Sequence, residues 1–531
     1  MPYQVRSQDW LARHARSQPR TIALLDLGSG REFTYAMLND RAERLAAVLG
    51  ETFGIVAGDR LAILSENTSN IFEVQFACWK LGAAYVPLNW RLARPELEFI
   101  VRDCTPKLLF HDAVREGVAA ALAGSCDIAS RICWHGAPAG TPTAPTTGTA
   151  DVADYEHLLA GASSFGSGMR RAVENTHETL ACVMYTSGTT GHPKGAMITH
   201  GGMVWNLLSA TAPFAFRTGM VNLTILPQFH IGGINAFANP AFHYGGTNIL
   251  MRAFDPAGTL DVLADHRYGV THFLAVPSNY LFMSQHPRFE TATFPTLVTA
   301  GIGGAPTPMA LLETWAAKGV VLQQGYGMTE SAATISAQSK ADAVRKVGSI
   351  GTPLLHLEHR IVDENGTDVA PGTVGELWVR APNISPGYWN RPDANADSFT
   401  GDWFHTGDAI REDEEGALYI LDRWKDMYIS GGENVYPAEV ENVLYAIDGV
   451  AEAAVIGVAD ARWGEVGKAV IVLKTGAVLQ EAEVIRFCGE QLAKFKVPKT
   501  VDFVQELPHN ATGKILKREI RANLEKTPTC S

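Results

Sequence analysis

The chain has 531 residues, 46% of them apolar and 19% charged, a globular composition too long for one hydrophobic core, so at least two domains are expected. A formal net charge of −12 with no long Lys/Arg block argues against nucleic acid or an anionic bilayer as partner. Seven cysteines, an odd number without a Cys-x-x-Cys pair, argue against a zinc site or disulfide framework. The scattered cysteines suit a reducing compartment, so the expected location is the cytoplasm; no signal peptide is expected, and no apolar stretch reaches the roughly 18 residues of a membrane span.

Apolar runs at 21–27, 60–65 and 107–111 predict strands. They alternate with helical patterns such as Tyr35 to Leu49, where Leu38, Ala42, Leu45, Ala46 and Leu49 share one face. A second set of runs at 222–226, 271–276 and 296–300 predicts another sheet packed on the first, so the large part is a layered α/β body. The Pro/Gly/Thr/Ala-rich stretch 137–149 reads as an exposed loop within it.

Residues Tyr185 to Lys194 read Tyr-Thr-Ser-Gly-Thr-Thr-Gly-His-Pro-Lys. Glycines such as Gly188 let backbone N–H groups face an anion, Thr186, Ser187, Thr189 and Thr190 offer hydroxyls, and Lys194 adds a compact charge, which together make a phosphate cradle. Gly195, not Ser or Thr, follows the lysine, and a strand follows where the Walker loop needs a helix, so that motif is excluded. Next come Leu226-Pro227-Gln228-Phe229-His230-Ile231-Gly232-Gly233 and the glycine-rich turn Gly301-Ile302-Gly303-Gly304-Ala305-Pro306, expected at a strand's C-terminal end, where open α/β sheets bind ligands. Gln324-Gly325-Tyr326-Gly327-Met328-Thr329-Glu330 then puts an aromatic face, two glycines, a hydroxyl and a carboxylate in one short turn. Asp408 and Arg423 supply a carboxylate and a guanidinium.

A charged connector at 422–426 separates this body from a compact α+β unit with helices at 438–446 and 481–492 and strands at 453–458 and 469–473. The expected domains are 1–424 and 425–531, large and small, joined by a polar hinge at Lys425 that lets the small one move. Just past it, Ser430-Gly431-Gly432-Glu433-Asn434 leaves backbone exposed. Near the end Gly513-Lys514 sits at a turn, followed by Lys517 and Arg518, which read as a solvated helix face.

These motifs, in this order and over nearly the whole chain, resemble the adenylate-forming superfamily of acyl-CoA synthetases, luciferases and peptide-synthetase adenylation domains. The resemblance implies activation of a carboxylic acid with ATP and Mg2+ to an acyl-adenylate, then transfer to CoA. It implies catalytic parts for Lys514, Thr186, Glu330 and His230. The phosphates would lie on Thr186 to Thr190, Lys194 and Thr329, and the metal on Glu330, whose hard oxygens suit Mg2+. Adenine would lie on Tyr326 and against Gly303, Gly304, Ala305, Gly325 and Gly327, and the ribose on Asp408, with Ile420 and Arg423 beside it. The 430–434 loop would admit pantetheine after rotation about Lys425.

The acyl group is expected among His230, Ile231, Gly232, Ile234, Ile302, Gly303 and Met328, with His230 as a gate. Amino-acid-activating relatives carry an aspartate soon after the position of Phe229, and here His230, Ile231 and Gly232 follow, so an amino-acid substrate is disfavoured. Residues 422–437 are nearer to bacterial fatty-acyl-CoA synthetases than to plant coumarate ligases, which favour lysine at Gly431 and glutamine at Asn434. The expected substrate is therefore a medium- or long-chain fatty acid. The alternatives are a cinnamate-type acid such as ferulate, or delivery to a carrier protein. A luciferase-like oxygenase and a non-catalytic nucleotide binder are more remote readings, and homo-oligomer formation stays open.

Overall fold

The computed structural model describes residues 5–135, 152–163, 173–186, 193–305, 307–423, 426–430, 433–460, 462–509 and 515–526, without the side chains of Asp422, Arg423, Asn434 and 524–526. The predicted loop at 137–149 and the hinge residue Lys425 lie outside this set. Among the described residues the strands form four sheets.

A seven-stranded sheet runs, edge to edge, through Val152–Asp154, Arg131–Trp134, Leu108–Asp112, Arg60–Leu64, Ala84–Leu88, Leu180–Thr186 and Lys194–Thr199. All of its pairs are parallel except the last. The centre of a nine-stranded sheet is likewise parallel, running from Leu322–Tyr326 through Thr299–Gly303, His272–Ala275, Val221–Thr224 and Thr247–Leu250 to Ile22–Asp26. Such strands are covered on both faces and so read as unbroken apolar runs; Ala84–Leu88 is buried at every position. The largest core cluster joins residues of both sheets, Leu24 and Leu250 with Leu61, Ile63 and Met184, to helices Tyr35–Glu51 and Ser69–Leu81.

Ser69–Leu81 is buried nearly all round, so its polar residues need partners. Glu73 accepts from Tyr155 Oη at 2.7 Å and pairs with Arg31 and Arg41, Gln75 donates to Asn239, and Lys80 Nζ lies 2.6 Å from Asp9.

The third sheet is antiparallel and includes Glu358–Val362, Gly375–Arg380, Trp403–Glu412 and Leu418–Arg423. The fourth comprises Tyr428–Ser430, Glu433–Val435, Val450–Asp460, Gly464–Leu473 and Thr500–Val504, with helices Pro437–Tyr445 and Glu481–Gln491 packed on it through Val440, Leu444, Val484 and Cys488. This is the expected α+β unit.

Three local expectations are corrected. The strand predicted at 296–300 is Thr299–Gly303, because pairing with its neighbours continues through Gly303, and the turn begins only at Gly304, with φ 84°. Residues 324–330 are not one turn: Gln324 to Tyr326 complete a strand and Thr329–Ser331 form a short 3-10 turn. Asp422 and Arg423 belong to a strand rather than a connector, since Asp408 pairs with Arg423 in register.

Candidate active site

The phosphate-cradle motif spans a hairpin. Its last paired residues are Thr186 and Lys194, and the Thr186 hydroxyl donates to the Lys194 carbonyl at 3.4 Å. Ser187, Gly188, Thr189 and Thr190 lie outside the described residues. The base of the hairpin is anchored by Tyr185, whose hydroxyl donates to Asp103 Oδ2 at 2.5 Å; burial, with a smaller effect of Cys104 and Asp103, raises that phenol's pKa.

Lys194–Thr199 is an edge strand, and edge groups need partners. The segment 385–389 supplies them: Met197 N–H donates to the Gly387 carbonyl at 3.0 Å, Trp389 N–H to that of Gly195 at 2.7 Å, and the Ser385 hydroxyl to that of Met197 at 2.8 Å. The indole of Trp389 reaches the Asp103 carbonyl at 3.2 Å.

The same segment carries the cradle to Glu330. Ser385 N–H donates to the Glu330 carbonyl at 2.6 Å, and the Tyr388 hydroxyl donates to Glu330 Oε1 at 2.6 Å. Lys194 Nζ stands 5.3 Å from the centroid of the Tyr388 ring. Lys194 and Glu330, 136 positions apart, thus meet on one tyrosine. Among the described residues Glu330 Oε2 accepts no hydrogen bond, and a hard carboxylate oxygen held on the same tyrosine as Lys194 suits a divalent cation. Thr329, by contrast, is buried.

Tyr326 and Asp408, expected at adenine and ribose, also meet: the phenol donates to Asp408 Oδ2 at 2.5 Å. Both are buried, and the Tyr326 ring packs with Ile335, Ile350 and Phe404. Ile420 lies beside them, paired with Ile410.

Gly303 and Gly325 pair across adjacent strands, and a Cβ on Gly303 would lie 2.4 Å from the Gly325 carbonyl oxygen. Ala305 and Gly327 border the same edge, where a Cβ on Gly327 would meet Ala333 O at 1.9 Å. Strand alternation puts Gly301 and Gly303 on one face and Ile302 on the other. Ile302 is therefore sealed in a core with Ala300, Leu311 and Trp315, which corrects its assignment to the acyl pocket. The glycine face instead meets Leu274 and two aromatic rings: the nearest neighbours of a Cβ would be Leu274 Cδ1 and Phe237 Cζ, both at 3.0 Å, for Gly301 and Phe214 Cζ at 3.1 Å for Gly325.

Ile231 and Ile234 are buried in the main core, while Gly232 and Met328 are half-buried. His230 is half-buried at the start of an irregular π-turn, Gly232–Ala236, and its carbonyl accepts from Gly233. Desolvation lowers its pKa to about 4, so the imidazole is neutral near pH 7.

In the α+β unit, Ser430 and Glu433 are the last paired residues of a second hairpin. Gly431, Gly432, Lys514 and the side chains of Asn434 and Arg423 lie outside the described residues.

Asp103, Tyr388, Phe214 and Phe237 were missed by the sequence reading. Tyr388 stands in a Pro-Gly-Tyr-Trp run whose small-residue turn and paired aromatics are a signal for a packed corner, although nothing there names its carboxylate partner. The ligand atoms of His111, Glu116 and Cys133 lie within 4.8 Å of one another, but Arg131 already pairs with Glu116 at 2.7 Å, so we read this cluster as an ion-pair network.

The model of the AMP-binding enzyme family matches residues 11–389, and that of the AMP-binding enzyme C-terminal domain matches 439–514. The chain belongs to the AMP-binding enzyme family of adenylate-forming proteins, as an AMP-forming acid–thiol ligase. Among its relatives, feruloyl-CoA synthase of Amycolatopsis sp is 39% identical over 514 residues, 96% of this chain and 98% of the relative. Long-chain-fatty-acid–CoA ligase FadD13 of Mycobacterium tuberculosis is 37% identical over 519 residues, 98% of each chain. The crystal structure of ATP-bound MatB from Rhodopseudomonas palustris superposes with a TM-score of 0.86 at 32% identity, covering 98% of this chain and 99% of that one. No helix among the described residues is long and apolar enough to cross a membrane.

Proposed function

We propose that this ligase activates a planar aromatic acid of the cinnamate type and transfers it to CoA. The observation that carries the reading is the aromatic wall on the glycine face. Gly303 lacks a side chain where the strand edge closes on the Gly325 carbonyl, and Phe237 and Leu274 stand so near Gly301 that a Cβ there would meet both at 3.0 Å. Two residues along a strand span about 6.6 Å, the length of a ring or a few methylenes rather than of an extended long chain. None of Phe214, Phe237, Leu274, Ala236 and Ala333 carries a charge, which disfavours a second carboxylate on the acid. The feruloyl-CoA synthase relative points the same way.

In the first half-reaction a carboxylate oxygen attacks the α-phosphorus of ATP, and the bond to pyrophosphate breaks. Thr186, Lys194 and the hydroxyl-rich loop hold the phosphates, Asp408 holds the ribose, and Glu330 would hold Mg2+. When bound, Mg2+ neutralises charge on the phosphate oxygens. Lys514 reaches in from the small domain and offsets the charge that builds as one anion approaches another. In the second half-reaction the CoA thiol, having lost its proton, attacks the acyl carbon and AMP leaves. Movement about Lys425 withdraws Lys514 and brings the 430–434 hairpin to the acyl-adenylate, so one cleft serves both steps. His230, neutral and half-buried, borders the acyl carbonyl without exchanging protons.

The second reading is a medium- or long-chain fatty acid, supported by the uncharged lining and by the FadD13 relative. Cytoplasmic location is proposed with both readings. The test is AMP release with Mg·ATP across cinnamic, benzoic and alkanoic acids, each with and without CoA. Turnover peaking on a cinnamate and requiring CoA is expected. A peak on a long alkanoate moves the assignment to the fatty acid, and AMP release that needs a phosphopantetheinyl carrier instead of CoA moves the acceptor.

A further inference from the structure

We infer that Tyr388 is a positioning residue that holds Lys194 and Glu330 apart and aims the Glu330 carboxylate at the metal of Mg·ATP; this rests on the proposed metal-ligand role of Glu330. Before nucleotide binds, a cation and a carboxylate flanking an empty phosphate site have a competing arrangement, a direct ion pair that ATP would have to break. Tyr388 receives the two charges separately. Its ring faces Lys194 Nζ at 5.3 Å from the centroid, within the range of a cation–π contact. Its hydroxyl donates to Glu330 Oε1 at 2.6 Å, a short bond to an ionised acceptor. With Oε1 engaged, the rotation of the carboxylate is fixed and Oε2 is the oxygen presented to a cation.

The tyrosine can do this because its backbone is locked. Tyr388 N–H donates to Asn395 Oδ1 at 2.7 Å, and Asn395 Nδ2 returns a bond to the Tyr388 carbonyl at 3.2 Å. Gly387 before it adopts φ 139°, and a Cβ there would lie 2.8 Å from the same amide, so only glycine lets Asn395 approach. On the other side Tyr388 bridges to Ala196 of the lysine strand, and Ser385 N–H holds the Glu330 backbone at 2.6 Å. Strand, tyrosine and acidic turn form one clamp, and Tyr388 is 8% exposed within it.

A double-mutant cycle tests this on the full-length protein, reading Mn2+ affinity by electron paramagnetic resonance in the presence of a non-hydrolysable ATP analogue. Tyr388→Phe removes only the donor and is expected to weaken Mn2+ binding about tenfold, the size of one hydrogen bond to a charged group. Glu330→Gln is expected to weaken it at least as much, and Tyr388→Phe to add little in that background. Asn395→Ala, which frees the Tyr388 backbone without touching the carboxylate, is expected to give a smaller shift of the same sign and serves if Tyr388→Phe does not fold. Wild-type Mn2+ affinity in Tyr388→Phe alongside weakened binding in Glu330→Gln overturns the positioning role alone. Unchanged affinity in Glu330→Gln overturns the metal-ligand reading itself.

Discussion

The Tyr326 hydroxyl donates to the Asp408 carboxylate at 2.5 Å across 82 positions of sequence, tying the nine-stranded sheet to the antiparallel sheet at the proposed nucleotide site. Asp408 is 2% exposed, so the bond orients a carboxylate that has little water to turn in. Tyr326→Phe leaves that acceptor short of a donor and is expected to cost about 1–3 kcal/mol in urea denaturation. It should also raise the KM for ATP several-fold. Asp408→Ala removes the proposed ribose acceptor outright and is expected to lower kcat/KM for ATP by about a hundredfold, in keeping with loss of charged hydrogen bonds. An unaltered KM for ATP in Asp408→Ala would remove Asp408 from the site.

Gly303 offers a steric test. A methyl group there would meet the Gly325 carbonyl oxygen at 2.4 Å, a backbone atom held by strand pairing. Gly303→Ala must therefore separate two strands or shift the edge proposed to face the acid. The expected cost is about 1–3 kcal/mol of stability together with a rise in the KM for the acid. Gly117→Ala, in helix Glu116–Cys126 where a Cβ meets nothing within 4 Å, is the control and should leave the KM unchanged without loss of stability. Equal behaviour of the two variants would show that the strand edge yields freely.

Much of this architecture is legible in the sequence because its cause is local. The helix at Tyr35–Glu51 follows from the spacing of Leu38, Ala42 and Leu45, and the parallel strands follow from their apolar runs. The phosphate motif is legible because glycine, hydroxyl and lysine chemistry is written in consecutive residues. What fails is side-chain direction and distant pairing. Ile302 looks like a pocket residue beside glycines, but the strand runs on to Gly303 and alternation turns it inward. Tyr388 is separated from Lys194 by 194 residues and from Glu330 by 58, so its part emerges only when the chain folds the 385–389 segment along the lysine strand. Asp103 is hidden likewise, since nothing near it in sequence points to Tyr185.

The division of labour between domains predicts an asymmetric effect of Lys514→Ala. The lysine is proposed to serve only the transition state of adenylation, so its loss should slow that half-reaction by about a hundredfold or more, the scale for removing one electrostatic stabiliser. Thioester formation from supplied acyl-adenylate should proceed near the wild-type rate. Single-turnover measurement of each half-reaction separates the two. Equal loss in both would show that Lys514 acts on folding of the small domain or on both chemical steps.

Stability should fall on mild acidification through desolvated histidines, the buried His272 and His200 among them. His272 is fully buried between the Thr271 hydroxyl at 2.7 Å and the Phe214 carbonyl at 3.1 Å, and His200 is buried against Trp79. Desolvation lowers their pKa values to about 4 and about 3; hydrogen bonds to the Ala215 and Phe214 carbonyls partly oppose this at His272, and the nearby His177 adds to it at His200. In the unfolded chain both titrate near 6.5. Below that pH the unfolded state binds protons that the folded state refuses, so stability is lost as pH falls from about 6.5 towards the folded pKa values, by up to about 1.4 kcal/mol per pH unit for each histidine. Above pH 7 neither contributes a slope. Urea denaturation at pH 7.5, 6.0 and 5.0 should show this decline, and His272→Gln, which keeps a donor for the Phe214 carbonyl and cannot titrate, should make it shallower by the share of one histidine, His200 keeping its own. An unchanged slope in His272→Gln would mean that His272 takes its proton without unfolding, through an opening of the segment around Ala215.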